Sequence, residues 1–110
     1  MAMKVLLLTA ALGFATAVTL SAQQPAGAAS LFAKTCASCH GAAGTPTASM
    51  KTSMGVPDLA VAATLASVPD SALRAIVMNG KGRMMPAYKS RLTPEQIATL
   101  VSYIRTFSKH

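Results

Sequence analysis

The sequence predicts a small all-α domain, and three observations support this fold class. Apolar residues recur at helical spacing in three segments, strand-like alternation is nearly absent, and two stretches rich in Gly, Pro, Ser and Thr separate the helices. The chain has 110 residues, which is enough for one domain only. We therefore expect three main helices and a short one around a single core.

The N-terminal segment predicts export. Residues 1–22 carry one charge, Lys4, followed by an apolar run and then small residues, which is the pattern of a secretory signal peptide. Cleavage is expected after Ala22, or as late as Ala28, and residues 23–29 are predicted to form a flexible leader before a domain at 30–110. The expected location is the periplasm. An uncleaved segment is long enough to anchor the domain in a membrane instead.

The first half of the domain predicts one longer and one shorter helix. The first helix is predicted over 28–38, where Leu31 and Phe32 share one face. Residues 41–56 are predicted to form a loop, because Gly, Thr, Ser and Pro dominate them. A shorter helical piece is predicted over 58–66.

The second main helix is predicted to begin at Ser67. Ser67 and Asp70 have the spacing of a capping box, and Asn79-Gly80 is a stop signal. Residues 80–92 contain two glycines and a proline and are predicted to form a loop. Long loops in a small domain usually carry function or wrap a ligand.

The third main helix has the clearest sequence signals. Thr93 is the expected N-cap, Pro94 fits the first helical position, and Gln96 completes a capping box. An apolar stripe with helical spacing follows, formed by Ile97, Leu100, Val101 and Ile104.

The stretch CASCH at residues 36–40 contains the chain's two cysteines and a histidine. A redox dithiol would need a strand-helix-strand pattern, which the sequence lacks, and a zinc site needs four ligands when only His110 remains. A disulfide would explain Cys36 and Cys39 but not His40. C-x-x-C-H is the attachment signature of c-type haem, in which two thiols bond one porphyrin and the next imidazole binds its iron. We therefore predict one covalent haem c.

A second axial ligand has five candidates downstream, and methionine is more often packing material than a ligand. Met78 is predicted to fill the core, and the early-loop pair is predicted to lie over the haem edge. Met84 and Met85 precede Pro86, which favours extended backbone, so only one of the two should reach the iron. Periodicity alone leaves that choice open. The five candidates are Met50, Met54, Met78, Met84 and Met85.

The chain resembles the class I c-type cytochromes, the small soluble monohaem carriers of bacteria, over most of residues 28–107. The resemblance rests on four stretches, which are CASCHG at 36–41, VPDL at 56–59, NGKGRMMP at 79–86 and TPEQIATLVSYIRTF at 93–107. It implies the cytochrome c fold wrapped around one haem.

The resemblance also implies residue roles. The thioether cysteines would be Cys36 and Cys39, and the axial ligands of the haem iron would be His40 and Met85. The Pro57 carbonyl would accept the other imidazole N–H, and Leu59 would line the haem pocket. A contact between the first and last helices would involve Phe32, Leu100 and Tyr103.

These features predict a soluble one-electron carrier and not an enzyme. The alternatives are a haem subunit of a larger respiratory or oxidoreductase complex, and an open-site haem enzyme or sensor if no methionine binds iron. The formal net charge of +7 favours an acidic redox protein or a membrane respiratory complex as partner. Nucleic acid is not an expected partner of an exported chain with few aromatics, and a monomer is expected.

Overall fold

The computed structural model describes residues 10–17 and 27–108, and the described part is all-helical, as predicted. Its helices are α1 (Ala28–Thr35), α2 (Ala37–His40), α3 (Ala48–Met54), α4 (Ala62–Leu65), α5 (Asp70–Asn79) and α6 (Pro94–Phe107). Residues 10–17 have no regular secondary structure, and the rest of the predicted signal peptide, with leader residues 23–26, lies outside the described residues. Within those described ranges, no helix has the length and apolar character needed to span a bilayer.

Helix α6 begins and packs as its sequence predicts. The Gln96 amide donates to Thr93 Oγ1 at 3.1 Å, and the Thr93 amide donates to Gln96 Oε1 at 2.9 Å, so both halves of the capping box form. These bonds satisfy two of the backbone donors that a helix N-terminus leaves unpaired. The predicted apolar stripe is buried along its whole length.

The core lies where α1 crosses α6. Phe32 is 1% exposed, and its ring packs edge-on against Tyr103 and Phe107, with centroids 5.5 and 5.0 Å away. Leu100 is fully buried in the same cluster, so the predicted contact between the first and last helices is confirmed. The other buried members of this cluster are Leu59, Leu65, Leu73, Val101 and Ile104.

Two predictions for the first half of the domain need correction. The first helix ends at Thr35, because Cys36 leaves helical geometry at φ −120° and ψ −31° before the single turn of α2. The predicted loop at 41–56 contains α3. Thr47 Oγ1 caps that helix by accepting from the Met50 amide at 3.2 Å, and Gly55 ends it in the left-handed conformation.

Helix α5 begins at Asp70, three residues after the predicted start. Pro69 is its N-cap and makes no side-chain capping bond, so the expected Ser67 capping box does not form. A residue that precedes a proline favours extended backbone, which keeps Val68 out of the helix. Arg105 of α6 fixes the carbonyls before α5 by donating to Leu65 O at 2.8 Å and to Val68 O.

Met78 does not fill the core as predicted. The buried positions of α5 are Leu73 and Val77, and Met78 follows on a different face with 36% of its surface exposed.

Candidate cofactor site

One helical turn brings the two thiols and the imidazole together. The Cys39 and His40 amides both donate to the Cys36 carbonyl, at 3.2 and 3.0 Å, and the Gly41 amide donates to Ala37 O at 2.8 Å. Residues three and four apart share one face of a helix. This turn brings Cys36, Cys39 and His40 close together, as attachment to one flat group would require.

Both thiols are free and half-buried. Burial, followed by the charge of Cys39, raises the pKa of the Cys36 thiol to about 11. A redox-active dithiol needs the opposite shift, because the thiolate is the attacking species. At neutral pH, Cys36 is therefore a protonated thiol packed against the core, which does not favour a redox dithiol.

The His40 ring has a buried nitrogen without a protein partner. Nδ1 is buried and makes no hydrogen bond, and burial lowers the pKa of the imidazole. The neutral imidazole is the form that binds metals. A buried polar atom that lacks a partner calls for an explanation, and a group held at this ring supplies one. The bond expected between this ring and the Pro57 carbonyl is not formed in the structure, so the role of Pro57 stays a prediction.

The VPDL stretch lies beside the core and is held by an acidic side chain. Asp58 accepts from Thr45 Oγ1 at 3.1 Å, from Lys51 Nζ at 2.8 Å and from the Ala60 amide at 3.1 Å. These bonds lower the pKa of Asp58, and the bond with Lys51 has the largest effect. Pro57 is exposed, whereas Leu59 is 6% exposed and belongs to the core cluster.

The segment Gly80–Tyr88, here called the Met loop, doubles back on itself. The Lys81 amide donates to Met85 O at 3.0 Å, and the Met85 amide donates to Lys81 O at 3.3 Å. A Cβ on Gly80 would lie 2.6 Å from Met85 O, and Gly80 has φ +77°, so this close turn requires glycine. Within it Met85 is half-buried, whereas Met84 is 54% exposed.

Tyr88 joins the Met loop to the residue that precedes the cysteine turn (residues 36–40), a contact that the sequence did not predict. Its hydroxyl donates to Thr35 O at 3.2 Å, one residue before Cys36. The pKa of Tyr88 is raised, by burial first and then by the neighbouring Cys36 thiol. An aromatic residue three positions after Met85 was the available signal, but only the fold shows its partner.

The donors present fit a haem c better than a metal ion. Within residues 10–17 and 27–108, no three His, Cys, Asp or Glu side chains cluster so that they could hold a metal ion. His110, the remaining candidate for a zinc site, lies outside the described residues. Two free thiols and one neutral imidazole within one helical turn are the donors that a haem c attachment site uses.

Comparison with known proteins identifies the family. The family model described as "Cytochrome C oxidase, cbb3-type, subunit III" matches residues 23–104. The chain belongs to this family of c-type cytochromes. The cbb3-type cytochrome c oxidase subunit FixP of Bradyrhizobium sp. (strain ORS 278) is 31% identical over 83 residues, which are 74% of this chain. The chain spans only 27% of the length of FixP.

Solved structures support the same assignment. The KustC0563 c-type cytochrome is 32% identical and has a TM-score of 0.69, covering 74% of this chain and 98% of that one. A point mutant of the same protein has a TM-score of 0.66, with the same identity and coverage. The predicted cytochrome c fold is therefore confirmed, and family membership implies haem c as the cofactor.

Proposed function

We propose that this c-type cytochrome is a one-electron carrier with a single haem c attached through Cys36 and Cys39. The observation that carries the proposal is the cysteine turn, where two free thiols and an imidazole with an unpartnered buried nitrogen lie within one helical turn. Each thiol would add across a porphyrin vinyl group, so that sulfur bonds one carbon and the thiol proton goes to the other. The two products are thioethers.

His40 and Met85 are the proposed axial ligands. Both are uncharged donors, and a methionine ligand raises the reduction potential of a haem. When bound, the group supplies an iron that accepts and releases one electron. Because both axial positions would be filled by protein, the chain binds no substrate at the iron, and we propose that it is not itself an enzyme.

Met85 is favoured over Met84 by its surroundings. Its backbone is fixed on both sides by the bonds to Lys81, and its side chain is half-buried. Met84 points further into solvent, at 54% exposure. Other exposed apolar side chains lie on segments that flank the cysteine turn and the Met loop in sequence, and a flat apolar cofactor is a partner that would cover such surface. These are Met54, Val61 and Met78.

Absorption spectra of the exported protein, oxidised and reduced, test the proposal. A thioether-linked, low-spin haem with the weak long-wavelength band of sulfur ligation is expected. Met85→Ala should abolish that band and allow carbon monoxide or cyanide to bind, whereas the matched variant Met84→Ala should leave both properties unchanged. Loss of the band in Met84→Ala alone would move the ligand to Met84. An open, high-spin iron in the unaltered protein would indicate a haem enzyme or sensor instead.

The similarity to FixP favours a second candidate, in which this domain serves within a membrane respiratory assembly. FixP is named as a subunit of a cbb3-type oxidase. The mass of the exported chain, and the cell fraction in which it is found, separate the two candidates. Loss of residues 1–22, or of as many as 28 residues, would support a free periplasmic carrier. A retained N-terminal segment, with the protein in the membrane fraction, would support an anchored subunit.

A further inference from the structure

Tyr88 is the most connected residue of the Met loop. Its amide donates to Val77 O of α5 at 3.0 Å, and its carbonyl accepts from the Arg91 and Leu92 amides, both at 2.9 Å. Its hydroxyl donates to Thr35 O of α1 at 3.2 Å. The Arg91 guanidinium lies 5.6 Å from the ring centroid, where a cation is attracted to the aromatic face. Tyr88 thus fixes the loop to two helices, through its backbone amide to α5 and through its hydroxyl to α1.

The hydroxyl bond joins the two halves of the proposed site. Thr35 is the last residue of α1 and directly precedes Cys36, so its carbonyl is one that the helix leaves without an internal partner. Tyr88 satisfies that carbonyl from a position 53 residues further along the chain. The bond therefore sets the position of the Met loop relative to the turn that carries both thiols and His40.

The backbone between Tyr88 and Met85 transmits this restraint. Only Pro86 and Ala87 separate the two residues, and the Met85 end is held by its paired bonds with Lys81. Proline fixes one of the intervening backbone angles. The carbonyl of Met85 also lies against Gly80, so the loop has little space in which to relax.

We propose that Tyr88 is a positioning residue that holds the Met85 sulfur on the iron by fastening the Met loop to Thr35. The inference rests on the proposed function, because it takes Met85 as an axial ligand. Deleting the hydroxyl should leave the fold intact but make Met85 easier to displace.

Titration of the purified ferric holoprotein with imidazole, which competes with methionine for iron, tests this inference. Tyr88→Phe removes the hydroxyl and keeps the ring and the backbone bonds. We expect imidazole to bind about two- to tenfold more tightly to this variant, as the loss of one hydrogen bond of ordinary net strength predicts. Tyr88→Leu, which also removes the contact with Arg91, should tighten binding further.

Tyr103→Phe is the matched control. It deletes the same atom from the other tyrosine of the chain, which lies on α6 and packs against Phe32 of α1. Its imidazole affinity should equal that of the unaltered protein. Hydrogen exchange gives a second measurement, since the Lys81 and Met85 amides should exchange faster in Tyr88→Phe while the amides of α6 keep their rates.

An unchanged imidazole affinity in both Tyr88 variants would overturn the inference, as would an equal gain in Tyr103→Phe. Failure of the proposed function has a different signature. In that case the unaltered protein would lack the sulfur-ligation band before any variant is made, and this inference would fall with it.

Discussion

Gly44 shows how one residue fixes the packing beside the site. Its φ of +83° favours glycine, and an added Cβ would lie 2.6 Å from Phe107 Cδ2 and 3.3 Å from Leu59 Cβ. Its carbonyl accepts from the Leu59 amide at 2.9 Å. The loop after the cysteine turn can therefore lie directly on the core only because this position lacks a side chain.

Gly44→Ala should lower the free energy of unfolding by about 3 kcal/mol, since left-handed strain and overpacking each cost about 1–2 kcal/mol or more. Gly55→Ala is the matched control, because Gly55 has φ +63° but open space around it. It should lose only about 1 kcal/mol, from strain alone. If urea denaturation gave the two variants equal losses of unfolding free energy, the clash of the added Cβ with Phe107 would cost nothing.

Asp58 contributes a stability that depends on pH. Its pKa in the folded protein lies below the ordinary value of 3.8, chiefly through the bond with Lys51. A carboxyl with a depressed folded pKa stabilises the protein fully above its unfolded pKa, and this stabilisation is lost as the pH falls through the folded pKa.

The stability difference between the unaltered protein and Asp58→Asn should therefore be constant from pH 7 to about pH 5 and should shrink below about pH 4. Thermal unfolding midpoints measured at closely spaced pH values check this. Asp70→Asn provides the comparison, because Asp70 pairs with Arg105 at 2.9 Å in a more exposed setting. If the stability difference between the unaltered protein and Asp58→Asn grew as the pH fell, the lowered pKa of Asp58 would be contradicted.

At the scale of elements, α6 is the helix that organises the others. Its buried stripe packs on α1 and α5, and Arg105 bonds the carbonyls that precede α5. The capping box fixes where α6 begins and therefore the register of that stripe against its neighbours.

Thr93→Ala should destabilise the protein by about 1 kcal/mol, because it leaves the Gln96 amide without its acceptor. Thr93→Ser keeps the hydroxyl and should lose only a few tenths of that. Chemical denaturation of the two variants, side by side, measures the contribution of the cap. If serine and alanine proved equally destabilising, the hydroxyl bond would not be its source.

The sequence predicted α6 and the cysteine turn because their signals are local. The Thr93 cap, the apolar stripe and the C-x-x-C-H spacing each lie within a few residues. The start of α5 could not be predicted in this way, since Pro69 replaces the expected cap and the carbonyls before it are held by Arg105 from another helix. Helix α3 was missed because the Gly, Ser, Thr and Pro content of residues 41–56 outweighed the Thr47 cap. The partner of Tyr88 depends on packing that no local pattern records.

At the scale of the whole molecule, positive charge gathers around the Met loop. Two ion pairs occur among the described residues, Lys51 with Asp58 and Arg105 with Asp70. Five exposed cations lie in or within a few residues of the Met loop and the cysteine turn, and a positive field of this kind speeds encounters with acidic partners. These residues are Lys34, Lys81, Arg83, Lys89 and Arg91.

Oxidation of the reduced holoprotein by ferricyanide, an anion, should slow about tenfold as salt rises from about 10 mM to about 1 M, because salt screens the attraction. A cationic cobalt complex should show the opposite trend. The variant with Lys81→Gln and Arg83→Gln should flatten the ferricyanide response more than Arg74→Gln on α5. If the oxidation rates with the anion and with the cation changed equally with salt, the positive charge of this face would not steer redox partners.

The edge-on contact of Phe32 with Phe107 has a consequence for folding. Phe32 lies on the first helix of the domain and Phe107 on the last, so the core is incomplete until α6 docks on α1. The Cys36 thiol packs against the same core and is half-buried in the folded chain. We therefore expect this sulfur to be more open to modification before α6 docks than after.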